Sequence, residues 1–368
     1  MAHERKNKGA LMILAMLGAC NNQVRNINKL PVELSDDYSG RIDSIIDTKS
    51  PRIFNGLVIV TENGKTKYIR EEGFSFFEQK LPVSYNSKYR IMSNSKEVTA
   101  VLVLREAEKG NLDLHNPIST YLPNLKQDWT NTVTIHQLLN MSSGIVDIEQ
   151  PLLYNAGKRY HYSNLGYSLL GRIIEQVTGR EFAENANELF DDLGMNRAYC
   201  YQLEGPNEGI INGYWLGTDS LELVDINSMG FTVQDWQDFI PAGGIVSTVA
   251  DLGVWDEKLH GGEILSDEYY QMLITPSNRG AHPVFDNDTI GYAYGMRVDD
   301  RYSTLCFGDG GHGLGFISSK FYIPEKKVGI IVWENICPKE SNSLTNEATY
   351  YFENEIRKIV MTSNLIRY

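Results

Sequence analysis

The chain has 368 residues, of which 42% are hydrophobic and 22% are charged, so it can bury a full globular core. Its formal net charge is −13. A surface this acidic argues against nucleic-acid binding, because contact with phosphates needs a basic face. The length fits either two domains or one large domain with two lobes.

The N-terminus has the pattern of an export signal. Basic side chains precede an apolar run from Ala10 to Ala19, which is too short to span a bilayer. The run ends in Leu-Gly-Ala-Cys at Cys20, which resembles the lipobox of bacterial lipoproteins, in which the cysteine is lipidated. We therefore expect a signal peptide at 1–19, a lipid on Cys20 and a polar tether over 20–34. Such a protein would face the periplasm, anchored to a membrane of the bacterial cell envelope.

Three further cysteines, Cys200, Cys306 and Cys337, are widely spaced along the chain. Neither a C-x-x-C nor a His-Glu-x-x-His pattern occurs in the sequence, so no metal-binding motif is predicted. We expect buried thiols, with at most one disulfide whose partners the sequence does not assign. No organic cofactor is expected.

The first predicted elements are a helix and a hairpin. A helix start at Ser35-Asp36-Asp37 is followed by isoleucines at helical spacing over 42–46. Phe54 to Thr61 is rich in strand-forming residues, and Asn63-Gly64 is a strong hairpin signal. Lys65 to Arg70 is then expected to return as the second strand.

The middle of the chain has the apolar periodicity of helices, and its last part alternates as strands do. The predicted helices begin at Ser93 and continue at 135–139, 166–177, 182–193 and 247–260, with a last one at 346–359. The later predicted strands are 292–298, 315–322 and 328–333.

Strands at both ends and helices between them predict an α/β (α+β) fold. An antiparallel sheet would be built from the two ends, and a mainly helical insertion would form a second lobe. We place one domain at 35–365, with an α/β lobe at about 35–90 and 290–365 and a helical lobe at about 91–289.

Ser93 and Lys96 lie three residues apart at the start of a predicted helix. Residues i and i+3 share a helix face, so the Lys96 amine would lie one turn from the Ser93 hydroxyl. Serine is a weak nucleophile that needs a neighbouring base, and a lysine that burial makes neutral can be that base. A capped helix with a solvated lysine explains the same pair, so the assignment depends on the rest of the chain.

Two other stretches offer partners for this pair. Tyr162 and Asn164 stand two apart, and in an extended segment both side chains would point the same way. Tyr162 could relay a proton, and Asn164 could hold a substrate amide or fix the lysine. The segment from Gly308 to Gly315 is rich in glycine, which lets a substrate backbone approach closely and offers N–H groups for an oxyanion hole.

Together these motifs resemble those of the serine β-lactamase and penicillin-binding protein superfamily, in its class C-like branch with DD-peptidases and esterases. Ser93-Asn94-Ser95-Lys96 matches S-x-x-K, and Tyr162-Ser163-Asn164 matches Y-x-N. The resemblance implies a β-lactamase/transpeptidase-like fold. It also implies that Ser93 forms an acyl-enzyme, that Lys96 and Tyr162 share the proton transfers, and that Asn164 binds substrate. The G-x-S-x-G elbow of α/β-hydrolases does not occur in the sequence.

The third motif departs from the family pattern. K-T-G or H-x-G in relatives falls here on Asp309-Gly310-Gly311, which the resemblance assigns to substrate binding. The backbone N–H groups of Ser93 and His312 would form the oxyanion hole. Two unit charges about 4 Å apart interact by about 4 kcal/mol near a protein surface. Replacing the cation by an acid turns such an attraction into a repulsion and predicts poor binding of anionic β-lactams. Neutral esters, amides or substrates with a free amine would be favoured, and a shifted register would instead give His312 the cationic role.

The sequence thus predicts a serine hydrolase that cleaves an ester or amide bond in a small-molecule or peptide substrate. A D-alanyl-D-alanine carboxypeptidase and a true β-lactamase are alternatives within the family. A ligand-binding protein that keeps the fold without turnover is the alternative of another class. Neither the natural substrate nor the oligomeric state follows from the sequence.

Overall fold

The computed structural model describes residues 36–207, 209–217, 220–339 and 346–367. The predicted signal peptide, the tether and Cys20 lie outside these ranges, so they stay predictions. Within the described ranges, no helix combines the length and the apolar composition that a membrane span requires. The described residues all belong to one compact unit, and the division into two lobes stays a prediction.

The α-helices are spread over the described residues. They are α1 (Ser39–Thr48), α2 (Ser95–Glu108), α3 (Ile135–Leu139), α4 (Asn164–Thr178), α5 (Phe182–Leu193), α6 (Val233–Gly243), α7 (Val249–His260), α8 (Asp267–Ile274), α9 (Asn346–Thr349), α10 (Tyr351–Met361) and α11 (Asn364–Arg367).

The strands cluster towards the two ends of the chain. They are β1 (Gly56–Glu62), β2 (Lys65–Glu72), β3 (Phe74–Phe76), β4 (Leu81–Pro82), β5 (Tyr89–Arg90), β6 (Tyr199–Cys200), β7 (Tyr214–Leu216), β8 (Leu221–Leu223), β9 (Ile245–Ser247), β10 (Asn278–Ala281), β11 (Thr289–Tyr292), β12 (Arg297–Asp299), β13 (Cys306–Gly313), β14 (Phe316–Ile323), β15 (Val328–Glu334) and β16 (Ile336–Pro338).

The central sheet has eight strands in the order β10-β11-β12-β13-β14-β15-β1-β2, and all its neighbours pair antiparallel. The N-terminal hairpin joins the C-terminal strands through β1 and β15, where Val58 lies opposite Val332. Asn63 and Gly64 form the hairpin turn with positive φ angles of 49° and 70°, as a tight turn between twisted strands requires. The predicted antiparallel sheet built from the two chain ends is therefore confirmed.

Both faces of the sheet are covered, which explains why the first five residues of β1 are apolar and buried. Successive side chains of a strand point to opposite faces. Leu57 and Ile59 join the core on the side of α2, whereas Val58 and Val60 join the core that α1 and α10 cover. The sheet therefore separates two cores.

Helix α2 lies in the centre of the larger core. Nearly all its side chains are buried, as expected for a helix surrounded by protein. It begins at Ser95, and a 3₁₀ turn over Met92–Asn94 precedes it, so Ser93 lies just outside the helix predicted to start there. Cys200, Cys306 and Cys337 are buried free thiols, so no disulfide joins them.

Candidate active site

The turn that carries Ser93 is held in a strained conformation. Met92 is buried and has a φ of 50°, which costs a residue other than glycine about 1–2 kcal/mol. Asn94 ties the turn to the sheet, since its Nδ2 donates to Ser318 Oγ at 2.9 Å and to Ile91 O at 3.1 Å. These contacts fix the Ser93 hydroxyl at the entrance to α2.

Lys96 is completely buried and points at Ser93. Its Nζ lies 3.0 Å from Ser93 Oγ and donates to Ala242 O at 2.6 Å. Ala242 belongs to the last turn of α6, where carbonyls have no partner within the helix. Thr99, one turn further along α2, donates to Pro241 O at 2.7 Å in the same way. The end of α6 therefore orients the amine.

The environment of Lys96 makes it a base at neutral pH. Burial lowers the pKa of the Lys96 amine to about 7, an effect that Asp309 opposes and Arg297 reinforces. Near pH 7 a large fraction of the amine is therefore neutral and has a free lone pair. Such an amine can accept the Ser93 proton.

Tyr162 reaches the same hydroxyl from the start of α4. Its OH lies 2.7 Å from Ser93 Oγ, and Lys96 Nζ lies 4.9 Å from the centroid of its ring. Ser163 positions it by capping α4, because Ser163 Oγ accepts from Gly166 N at 3.0 Å. Burial, together with Asp309, raises the pKa of the Tyr162 phenol. Tyr162 therefore stays protonated at neutral pH and is a proton donor.

Asn164 follows an extended residue, since Ser163 has φ −140° and ψ 109°. Because Ser163 caps the helix, Asn164 is the first residue of α4, and its side chain is exposed. Within the described ranges its side chain makes no hydrogen bond, so it does not fix Lys96 here. Asn164 is thus exposed to solvent two residues after Tyr162.

The glycine-rich strand β13 approaches the Ser93 turn closely. A Cβ added to Gly311 would lie 2.4 Å from Ile91 O, so only glycine fits there. Strand β12 pairs with 306–308 alone, which leaves 309–313 with an open edge on that side. Gly310 N donates to Asp309 Oδ1 at 2.8 Å, and N–H directions alternate along a strand, so the His312 N–H points to the same edge as that of Gly310.

The acid at the third motif has a buried partner that the sequence does not reveal. Arg297 of β12 binds Asp309 through Nε and Oδ1 at 3.0 Å, and both side chains are buried. The buried pair has no net charge, because a full positive charge lies directly beside the carboxylate. The predicted electrostatic rejection of anionic substrates therefore loses most of its basis.

His312 lies on the other face of β13 from Asp309. An added Cβ at Gly310 would contact Tyr350 and His282, and His312, two residues on, shares that face. The His312 ring lies 5.9 Å from that of Tyr350, and its Nε2 lies 3.0 Å from Cys337 Sγ. Burial raises the pKa of the Cys337 thiol to about 12, so the thiol stays protonated.

Sequence reasoning missed three contributors to this site. Arg297 and Tyr160, joined by a hydrogen bond of 2.8 Å, stand beside the third motif, and the carbonyl of Ala242 binds Lys96. An arginine at the edge of a predicted strand carries no signal of its own, because its partner depends on the strand register. A main-chain carbonyl carries none at all.

A second cluster of charged groups lies next to α2 and resembles a metal site only in composition. Donor atoms of Glu97, Asp256 and His260 lie within 4.8 Å of one another. Lys320 Nζ fills the space of a cation there, at 3.1 Å from Glu97 Oε1 and 2.5 Å from Asp256 Oδ1. The cluster therefore satisfies its charge with a lysine.

A cavity of about 860 Å³ lies away from Ser93. Leu114, His136, Tyr269 and Tyr294 are among its lining residues, and none of the catalytic candidates lines it. Within this cavity the His136 ring already has a hydrogen-bond partner, since its Nδ1 lies 2.6 Å from Tyr294 OH. The candidate site is identified by the contacts of Lys96 and Tyr162 with Ser93, and not by the size of a cavity.

Comparison with known proteins identifies the family. A family model described as Beta-lactamase matches residues 42–349. Protein flp of Staphylococcus aureus is 24% identical over 365 residues, which cover 91% of this chain and 70% of that protein.

Solved structures share the fold. The octameric penicillin-binding protein homologue from Pyrococcus abyssi is 25% identical with a TM-score of 0.73, covering 89% of this chain and 78% of that one. The D-amino acid amidase from Ochrobactrum anthropi, complexed with L-phenylalanine amide, is 20% identical with a TM-score of 0.70, covering 88% and 96%. At that identity the second likeness concerns the fold alone. The predicted β-lactamase/transpeptidase-like fold is confirmed.

Proposed function

Because this chain belongs to the beta-lactamase family, a family of serine hydrolases, we propose that it cleaves an ester or amide bond through an acyl-enzyme on Ser93. One observation carries the proposal. Ser93 Oγ lies between Lys96 Nζ at 3.0 Å and Tyr162 OH at 2.7 Å, with a base and a proton donor thus in contact with one hydroxyl.

Acylation begins with the neutral amine of Lys96. It takes the hydroxyl proton while Ser93 Oγ bonds to the carbonyl carbon of the substrate, whose π electrons move to the carbonyl oxygen. The N–H groups of Ser93 and His312 donate to that oxygen, which is where negative charge develops. The product of this step is a tetrahedral intermediate beside a protonated lysine.

Collapse of the intermediate needs a proton for the leaving group. Tyr162 donates its phenolic proton to the leaving oxygen or nitrogen as the bond to the carbonyl carbon breaks. The Lys96 ammonium then returns a proton to the Tyr162 oxygen. Both side chains are thereby restored, and the substrate's acyl group stays on Ser93.

Deacylation repeats these transfers with water as the nucleophile. Tyr162 with Lys96 removes a proton from the water as its oxygen bonds to the acyl carbon. The proton is then delivered to Ser93 Oγ, which leaves as the hydroxyl. One water is consumed, and an acid is released.

Substrates without a carboxylate beside the reacting carbonyl fit this site best. The cation that relatives carry at the third motif is replaced by Asp309, and Arg297 forms an ion pair with that acid. A carboxypeptidase substrate or a β-lactam would find neither a cation nor a net repulsion at this position. The exposed amide of Asn164 is available to a neutral ester or amide.

Acyl-enzyme formation is tested with a fluorescent fluorophosphonate and intact-protein mass spectrometry. We expect one covalent adduct on the natural chain and none on Ser93→Ala. Ser95→Ala is the matched control, because Ser95 Oγ accepts from Ile245 N at 3.2 Å and, among the described residues, makes no hydrogen bond to Lys96 or Tyr162. Equal labelling of Ser93→Ala would remove Ser93 from the mechanism, and no labelling of the natural chain would favour a ligand-binding protein without turnover.

The substrate class is tested with matched pairs. Acylation rates are compared for a nitrophenyl acyl ester, a carboxylate-bearing β-lactam and the methyl ester of that β-lactam. We expect the nitrophenyl ester to react fastest and the two β-lactams to differ by less than about tenfold, since the Asp309–Arg297 pair is neutral. Turnover of the free acid well above that of both esters would favour a true β-lactamase.

We also propose that the protein is a lipid-anchored, periplasm-facing lipoprotein, on the strength of the lipobox at Cys20. The test is metabolic labelling with an alkyne fatty acid in a bacterial host. Labelling is expected for the natural chain and not for Cys20→Ser. Labelling of Cys20→Ser would contradict the assignment.

A further inference from the structure

Arg297 and Asp309 are buried beside the candidate site without reaching the reacting atoms. Arg297 Nε donates to Asp309 Oδ1 at 3.0 Å, Nη1 to Gly280 O at 3.3 Å and Nη2 to Tyr160 OH at 2.8 Å. Its side chain is 1% exposed. The guanidinium is thus held from three sides and is not presented to a substrate.

The two oxygens of the Asp309 carboxylate differ in their hydrogen-bond partners. Oδ1 accepts from both Arg297 and Gly310 N, whereas Oδ2 is buried and makes no hydrogen bond to the described residues. In a region of low dielectric, charges that are not screened by direct partners act strongly on their neighbours. One buried oxygen of the Asp309 carboxylate therefore lacks a direct partner among the described residues.

We propose that Arg297 and Asp309 form a positioning couple that keeps Lys96 able to act as the base. The acid favours a protonated amine and the guanidinium favours a neutral one, so their balance decides how much of Lys96 is a free amine. Arg297 thereby compensates, from the neighbouring strand, for the acid at the third motif. The inference rests on the function proposed above for Ser93 and Lys96.

Other groups around Lys96 are neutral, which gives the couple its influence. The titratable and charged groups that act on Lys96 are Tyr162 just before α4, Tyr167 from α4, Asp309 from β13, Arg297 from β12 and His282 from the turn after β10. Burial raises the pKa of both tyrosines and lowers that of His282, so none of them carries a charge near pH 7. Glu97, the next residue along α2, is turned away to Lys320 and Trp255.

The test is the acidic limb of the pH profile of kcat/KM for a nitrophenyl ester, which reports the free enzyme's base. Asp309→Asn removes the negative charge and leaves Arg297, so the limb should move to lower pH by on the order of one unit. Arg297→Gln should move it to higher pH by a similar amount. In Asp309→Asn/Arg297→Gln the limb should return towards that of the natural chain.

Shifts of opposite sign distinguish a positioning couple from a structural pair, which would lower activity without moving the limb. Arg297→Lys should restore the natural limb, and Arg180→Gln, at an exposed ion pair remote from the site, is the matched control. If Arg297→Gln does not fold, Asp309→Asn and the double variant decide the matter. An unmoved or raised limb in Asp309→Asn overturns the couple, whereas activity that survives in Ser93→Ala overturns the proposed function instead.

Discussion

Two lysines of this protein are equally buried and opposite in character. Lys96 is 0% exposed and meets a hydroxyl and a main-chain carbonyl, whereas Lys320 is 2% exposed and meets two carboxylates. Burial lowers the pKa of Lys96 to about 7. Burial also acts against the charge of Lys320, but Asp256 and Glu97 outweigh it and raise the pKa of that amine. The contact partner, rather than depth, decides whether a buried lysine is a base or a structural cation.

Helix α2 produces both environments from adjacent residues. Lys96 projects towards the end of α6 and Ser93. Glu97 projects in a different direction, where it binds Lys320 and accepts from the indole Nε1 of Trp255 at 2.8 Å. Successive residues on a helix are about 100° apart, so one helix can present a base and an anion to different neighbours. Substitutions at the two lysines should therefore have separable effects.

The largest expected effect is on chemistry. Lys96→Met should lower kcat/KM for a nitrophenyl ester by about a thousandfold or more, because Ser93 loses its base. The measurement is initial rates at pH 8, where the natural amine is mostly neutral. A loss of less than tenfold in a folded protein would show that another group deprotonates Ser93.

The next effect is on stability. Lys320→Met should lower the free energy of unfolding by about 3–5 kcal/mol, because Glu97 and Asp256 would remain buried without their cation. Urea denaturation followed by tryptophan fluorescence measures it. Lys320→Met/Asp256→Asn is the matched control and should recover part of the loss. A Lys320→Met protein as stable as the natural chain would show that Lys320 is not a structural cation and would contradict the contrast with Lys96.

Tyr162 and Tyr160 offer a smaller test within the loop that precedes α4. Tyr162→Phe should lower kcat/KM by about a hundredfold, because the leaving group loses its proton donor. Tyr160→Phe keeps the ring and removes only the bond to Arg297, so a loss below about tenfold is expected. Equal losses in the two variants would contradict the role proposed for Tyr162.

The smallest expected effect is on the free energy of unfolding, which Lys96→Met should raise although Lys320→Met lowers it. At pH 7 Lys96→Met should raise the free energy of unfolding by about 1–2 kcal/mol, since it removes a buried group that burial disfavours when charged. The unfolded amine binds its proton up to about pH 10.4 and the folded one only up to about 7, so the unfolded state binds more protons between these values. The cost of Lys96 therefore shrinks as pH rises through that window, and so should the advantage of Lys96→Met. An advantage that grows from pH 7 to pH 10 in urea denaturation would contradict this sign.

Much of the fold and the centre of the site could be predicted from the sequence. Ser93 and Lys96 are local neighbours, and Asn63-Gly64 is a turn with its own backbone chemistry, so spacing indicates both. The role of the Ser93–Lys96 pair follows only from the other motifs. The approach of Tyr162 to Ser93 depends on tertiary packing, and only the family resemblance predicted it. The helix that begins at Asn164 was predicted to begin at 166, because the capping role of Ser163 was not recognised.

The charge balance of the site could not be predicted, because it depends on strand register. Arg297 and Asp309 belong to different strands, and a shift of one residue would point either side chain to the opposite face. Lys320 likewise gives no sign in the sequence that Glu97 and Asp256 will surround it. Motif spacing identifies groups that react, whereas the groups that tune them come from the three-dimensional arrangement.

The most direct test of the account is the pKa of Lys96 itself. The protein is prepared with ¹³Cε-labelled lysine, and the carbon shifts are followed by NMR from pH 5 to pH 11, with Lys96→Met used to assign the signal. We predict one lysine signal that titrates near pH 7 and is missing from Lys96→Met. A Lys96 signal that titrates with the ordinary surface lysines, near pH 10, would contradict the claim that burial makes this amine the base for Ser93.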